Sequence, residues 1–189
     1  HVYLEKPGAE SADQLQDMSD LAERHGVQVV VGYNKNVTNY VRDGLAELDR
    51  LAASGESRRV TLEHNNELKP GPELLDYLRG PAAEGMLHNM CCHELALAAT
   101  FFGASAATVR AVTLERELSE LVDLGSGKRD WQRVAFRLSL DVGEDVPPSR
   151  RLRELRFVAD RCGGNFSCMH LDGADGTGQR RTFRVPRDE

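Results

Sequence analysis

A lysine at the end of a short apolar run is the first residue placed to do chemistry. Val2-Tyr3-Leu4 reads as a strand, Glu5-Lys6-Pro7 follows it, and Pro7 has no backbone N–H with which to continue a ladder. Lys6 therefore falls at a strand's carboxyl end, where open α/β sheets form their ligand crevices. A second concentration of polar groups is Gly85-Met86-Leu87-His88-Asn89-Met90-Cys91-Cys92-His93-Glu94. On a helix Asn89 and His93 are four apart and share a face, so Asn89 can orient the imidazole or a substrate hydroxyl. An amide can neither take a proton nor hold a negative charge. Histidine, and lysine when burial lowers its pKa, can exchange protons near neutral pH, as general acid–base chemistry requires. The competing structural readings are a solvated lysine after an edge strand and a hydrogen-bonded core histidine.

Other groups carry weaker signals. His64, Asn65, Asn66 and Lys69 either line a polar pocket, with His64 and Asn66 as substrate contacts, or form a hydrophilic strand end. His88, Cys91, Cys92 and His93 suggest metal ligation, but neighbouring helical residues point about 100° apart. With no second Cys/His pair at zinc spacing, no metal is expected. Gly125-Ser126-Gly127-Lys128 lacks the glycine spacing of a phosphate loop and reads as a surface turn.

These side chains need elements to hold them. Ser11-Ala12-Asp13-Gln14 has the form of a capping box, and Leu15, Met18, Leu21 and Ala22 make one helical face before Gly26. Val27 to Val31 then reads as a buried parallel strand, giving a strand–helix–strand crossover. Val37, Val41, Leu45, Leu48 and Ala52 predict a helix over Thr38 to Ser54, and Val60, Leu62 and His64 a strand broken by Lys69-Pro70-Gly71-Pro72. Glu84 to Phe102 is expected to be one buried helix ended by Gly103. Beyond it the period becomes 2: Val134, Phe136, Leu138, Leu140 and Val142 alternate with polar residues. Similar signals lie at Val109 to Glu115, Leu155 to Asp160, Phe166 to Leu171 and Thr182 to Val185. Cys162-Gly163-Gly164-Asn165 is expected to be a hairpin turn. The predicted class is α/β (α+β): a remnant of a Rossmann-like parallel sheet over 1–36, then a mostly antiparallel open sheet backed by helices over 37–189.

The stretch His1 to Val37, with Glu5-Lys6-Pro7 and Gly32-Tyr33-Asn34, resembles the end of the nucleotide-binding domain in the Gfo/Idh/MocA family of NAD(P)-dependent oxidoreductases. The run Gly85 to Glu94 is similar to that family's active-site helix. The resemblance implies NAD or NADP as cofactor, with Glu5, Lys6, Pro7 and Asn34 at its nicotinamide end. It implies acid–base roles for Lys6 and His93 on a hydroxylated small molecule such as a sugar or polyol. The family's aspartate position holds Asn89 here, and the acidic residue often found three beyond the histidine is Ala96. No G-x-G-x-x-G occurs, so the expectation is a truncated or split chain, inactive alone, that pairs with a separate N-terminal half-domain and self-associates through its antiparallel sheet. The alternative is a non-catalytic binding or assembly protein of the same descent.

Composition sets the limits. A net charge of −6 argues against nucleic acid or anionic membrane as the main partner. No apolar segment approaches the roughly 20 residues that span a bilayer. The cytoplasm is the expected location, with the four cysteines reduced.

Overall fold

A computed structural model describes residues 1–56, 58–173 and 180–185. The chain divides into two compact units, 1–34 and 35–189.

In the first unit, strand β1 (Val2–Leu4), helix α1 (Ala12–Arg24) and strand β2 (Val29–Val31) form the expected crossover. The strands pair in parallel, Val2 opposite Val29 and Leu4 opposite Val31. The Ser11 hydroxyl accepts from the Gln14 amide at 3.2 Å, and the Gln14 side chain accepts from the amide of Glu10 at 3.0 Å. This is a capping box whose return bond lands one residue early. Gly26, at φ +61°, follows the helix, and the amide of Val27 returns to Ala22, so β2 begins only at Val29. The expected burial of β2 is not met: Val30 is 57% exposed, and no residue of α1 is buried. A strand pair with one helix has too few layers to cover both faces.

The second unit is a seven-stranded mixed sheet with helices on one face. Its elements are α2 (Asn39–Ala53), β3 (Arg58–Glu67), α3 (Pro72–Arg79), a π-helical turn (Leu87–Cys91), α4 (Cys92–Phe102) and β4 (Val109–Leu114). They continue with β5 (Glu120–Gly125), β6 (Lys128–Leu140), β7 (Glu154–Asp160), β8 (Cys162–Gly173) and β9 (Arg181–Arg184). The strand order is β4-β6-β7-β3-β8-β9, with β5 also pairing with β6. Among the described residues of this sheet only β3 and β7 run parallel; the other pairs are antiparallel. The core lies under the helices, where Tyr40, Val41, Leu45 and Leu48 of α2 and Leu97, Ala98 and Phe102 of α4 meet Val60, Leu62, Phe136, Phe157, Met169 and Leu171. Each fully buried Val, Leu, Phe or Met of this set contributes about 1.5–3 kcal/mol by leaving water.

Three expectations fail for identifiable reasons. Pro72, expected within a loop, instead starts α3, because proline is well suited to the first turn of a helix. Glu84 to Phe102 is not one α-helix: Glu84 is left-handed at φ +49°, and a π turn precedes α4. Cys162 to Asn165 is no hairpin turn but the start of β8, because β3 is inserted between β7 and β8. Gly163 is needed for close approach there, since a Cβ on it would meet the Asn65 side chain at 2.8 Å. Gly125, Ser126 and Gly127, all at positive φ, do form the turn joining β5 to β6.

Candidate active site

One cluster of buried polar groups in the second unit lies where the π turn meets α4. The turn is fastened from outside. Arg161, with no exposed surface, donates to Asp130 Oδ2 at 2.9 Å and lies 5.1 Å from the Tyr77 ring centroid. Asp130 Oδ1 accepts from the amide of Met86 at 3.0 Å. A buried guanidinium and carboxylate thus hold the residue just before the π turn. Such turns widen a helix and recur at functional sites. They also change the angular offset of residues four apart, so the face shared by Asn89 and His93 in an α-helix does not carry over unchanged.

Glu94 is the centre of the cluster. It is 3% exposed, beside His93 in sequence, and packed toward β3. Lys35 Nζ donates to its Oε1 at 2.6 Å, and His64 Nδ1 lies 3.3 Å from its Oε2. The same Nδ1 lies 3.3 Å from the carbonyl oxygen of Met90. Both neighbours are acceptors, so Nδ1 carries the proton and Nε2 is the atom left to exchange one. The rings of His64 and His93 meet edge to face, centroids 6.0 Å apart at 75°. His64 and His93, far apart in sequence, are therefore neighbours in the fold.

Electrostatics follow from burial. Burial pushes the Glu94 carboxyl upward, but the hydrogen bond from His64 and the Lys35 charge outweigh it, so Glu94 is held below its ordinary range. Burial lowers the Lys35 ammonium, and Glu94 restores only part of that. Burial, then Glu94, raises the Tyr40 phenol, and the same two causes push the Cys91 thiol to about 12. The result is an ionised carboxylate in an apolar wall, with two histidines and a lysine of lowered pKa around it. That arrangement fixes the orientation of the His64 imidazole between Glu94 and the Met90 carbonyl.

The residues singled out in the sequence lie as follows. Lys6 and Pro7 are half-buried and Glu5 exposed in the turn after β1, where the Lys6–Pro7 bond is cis. Asn34, exposed, closes the first unit just past β2. The amide of Gly32 donates to Leu4 at 2.8 Å and the Tyr33 hydroxyl to the carbonyl of Pro7 at 3.2 Å, which ties together the carboxyl ends of the two parallel strands. A Cβ on Gly32 would sit 2.3 Å from the Tyr3 hydroxyl, so a side chain there would displace the exposed Tyr3 ring. His93 and Asn89 are half-buried. The strand register breaks between Asn65 and Glu67, at Asn66, interrupting the alternation that would align Asn66 with His64.

Lys35 and Glu94 were missed. A signal existed for Glu94: a charge in a helix apolar on two sides must find a partner. Nothing local identifies that partner, because Lys35 lies 59 positions away.

Neither a protein-family model nor a curated protein matches the sequence. Solved structures do. The chain superposes on a probable dehydrogenase from Thermotoga maritima over its full length and 51% of that chain, with TM-score 0.69 and 19% identity. It matches a myo-inositol dehydrogenase from Corynebacterium glutamicum over 99% of its own length and 50% of that chain, TM-score 0.63, 17% identity. It also matches the scyllo-inositol dehydrogenase from Lactobacillus casei, solved with NAD(H) and scyllo-inositol, over 100% of its length and 51% of that chain, TM-score 0.63, 12% identity. The chain thus has the fold of these dehydrogenases across about half their length. Identities this low speak to fold alone.

Proposed function

We propose that this chain carries the substrate-side half of an NAD(P)-dependent oxidoreductase acting on a hydroxylated small molecule such as a sugar or polyol. The observation behind this reading is the buried cluster of Glu94, Lys35, His64 and His93 beside a π turn, in a fold that matches inositol dehydrogenases. In such a reaction His93 takes the hydroxyl proton as the carbon is oxidised, and Glu94 holds the neighbouring His64 imidazole in place. His64 presents Nε2 to the substrate, and Asn89 orients a hydroxyl without accepting its proton. The carboxyl ends of β1 and β2, tied by the Gly32 amide to the Leu4 carbonyl, are the end of a parallel sheet at which α/β folds receive their ligands, and this reading assigns the nicotinamide end of the cofactor to it. Glu5, Lys6, Pro7 and Asn34 would hold that end, and NAD(P), when bound, supplies the hydride acceptor. Lys6 steadies the developing oxyanion. Self-association through the sheet face away from the helices belongs to the same reading.

A second reading, a non-catalytic binding or assembly protein, is favoured by Asn89, which replaces a carboxylate with a group unable to ionise. One assay separates the two. The chain is joined to an N-terminal half-domain bearing a glycine-rich turn and tested for NAD(P)-dependent oxidation of inositols and sugars. Turnover that falls by on the order of 10² in His93→Ala and Lys6→Met supports the enzyme. Turnover indifferent to His93→Ala, or absent on every polyol, overturns it.

A further inference from the structure

The opposite side of β3 carries a second cluster. Glu63 and Cys168 face each other directly in the antiparallel β3–β8 pair, and His170 stands two residues beyond Cys168 on the same face. His170 Nε2 lies 2.8 Å from Glu63 Oε2 and 3.1 Å from Cys168 Sγ, and the sulfur lies 3.9 Å from the same carboxylate oxygen. His170 Nδ1 is 2.9 Å from the Thr182 hydroxyl on β9. We propose that Glu63, Cys168 and His170 form a transition-metal site of zinc type, clamping β3 to β8.

The geometry separates this from a catalytic Cys–His–acid relay. In a relay the thiol and the acid engage different imidazole nitrogens, so that one orients what the other uses. Here both converge on Nε2, which has room for only one proton. The other nitrogen is directed at Thr182, as in metal-bound histidines whose second nitrogen is fixed by an outer hydrogen bond. With Nδ1–H donated to Thr182, the Nε2 lone pair faces the sulfur and the carboxylate oxygen. Oxygen, nitrogen and sulfur ligands around tetrahedral zinc stand about 3.3–3.6 Å from one another. The three distances in the cluster bracket that range, so sub-ångström side-chain movement brings all three donors onto one ion.

Ligand chemistry agrees. A thiolate, an imidazole and a carboxylate suit zinc, and the two anionic ligands neutralise a divalent charge. Binding forms a metal–sulfur bond and releases the thiol proton to solvent, with no change of oxidation state. Cys168 is 2% exposed, and the side chains of His170 and Glu63 only 10% and 21%. The nearby cations are engaged elsewhere: Arg180 holds Asp172 at 2.8 Å, and Arg184 lies over the Phe166 ring. Three protein donors leave a fourth position for water.

The test uses the full chain, freed of metal by chelation and titrated with zinc chloride and, separately, cobalt chloride. One equivalent of zinc per chain is expected, with a melting temperature that rises with zinc concentration. Cobalt should give thiolate-to-metal charge-transfer absorption in the near ultraviolet. Cys162→Ser should keep that band, whereas Cys168→Ser and His170→Gln should lose it and the zinc-dependent rise in Tm. Circular dichroism establishes that each variant is folded. Should a variant fail to fold, the native chain still decides: no cobalt–thiolate band and no stoichiometric zinc overturns the proposal. A band that persists in folded Cys168→Ser overturns it too.

Discussion

Glu63 and His64 are neighbours on β3, yet they serve opposite sides of the sheet under different physical regimes. His64 points under the helices, where Glu94 and Lys35 form an ion pair almost out of water. Glu63 points to the other side, where it joins Cys168 and His170, beyond which runs a charged face. There Glu115 is held by Arg156 at 2.6 Å and by Arg137, and these residues line a cavity of about 660 Å³ with Arg59, Glu154 and Asp172. Alternation along one strand therefore separates an ion pair almost out of water from a cluster that borders a charged face. Charges of the first kind are costly to disturb; those on the charged face are cushioned by solvent.

Removing one partner from the buried side should have the largest effect. Glu94→Ala leaves the Lys35 ammonium without its carboxylate inside the core, and a loss of about 3–5 kcal/mol is expected in urea unfolding. A loss below about 1 kcal/mol would mean that water reaches this side as well. Arg161→Ala belongs to the same class, since it strands Asp130 and loosens the residue before the π turn. The same range is expected for it, with Asp130→Asn milder.

Packing on the helix-covered side is tight enough to register a single methyl group. A Cβ on Gly44 of α2 would lie 2.7 Å from the Met169 sulfur, so Gly44→Ala should cost about 1–2 kcal/mol. Methionine's flexibility keeps the figure at the lower end. A stabilised variant would show that α2 and β8 are not in close contact.

Smaller effects are expected on the charged face. Glu115→Gln should cost about 1 kcal/mol or less, and the difference from the parent should shrink in high salt. A salt-insensitive loss of several kcal/mol would erase the contrast between the two sides.

Acid sharpens the comparison from the opposite direction. Glu94 has a lower pKa folded than unfolded, so its stabilisation is complete above its ordinary value of 4.5 and is lost as pH falls through the folded value. Between pH 7 and 5 the parent and Glu94→Gln should keep a constant difference in Tm. Below about pH 4.5 that difference should narrow, because only the parent has this carboxylate left to protonate. Glu63 and Glu115 are also lowered, Glu63 by His170 and Glu115 by Arg156, and both variants share those losses. A difference that widens on acidification would reverse the sign assigned to Glu94.

Much of this arrangement was written locally. Period-3.6 spacing placed α2 within one residue at each end, and period-2 alternation located β4, β6, β7 and β9, because burial of one face leaves its period in the chain. The sequence also put His93 and Asn89 in a buried helix and His64 on a strand. It did not place Lys35 and Glu94 together, since an ion pair spanning 59 positions has no periodicity. Nor did it mark the π turn, whose hydrogen bonds shift by one residue without altering composition.

Strand order was beyond sequence reasoning for a related reason. Cys162-Gly163-Gly164-Asn165 has the composition of a turn, and local chemistry would close β7 on β8 there. Only the folded sheet, in which β3 pairs with β7 on one side and β8 on the other, turns those glycines into room for Asn65. That insertion also brings Glu63 to Cys168 and His170, while the alternation of β3 carries His64 to Glu94 on the opposite face. Spacing and composition determined most of the strands and the core-facing side of β3, β6 and β7, but neither β5 nor the exposure of β2. Which strands lie side by side was decided by the long-range packing of the whole sheet, and both clusters of reactive side chains exist only because of it.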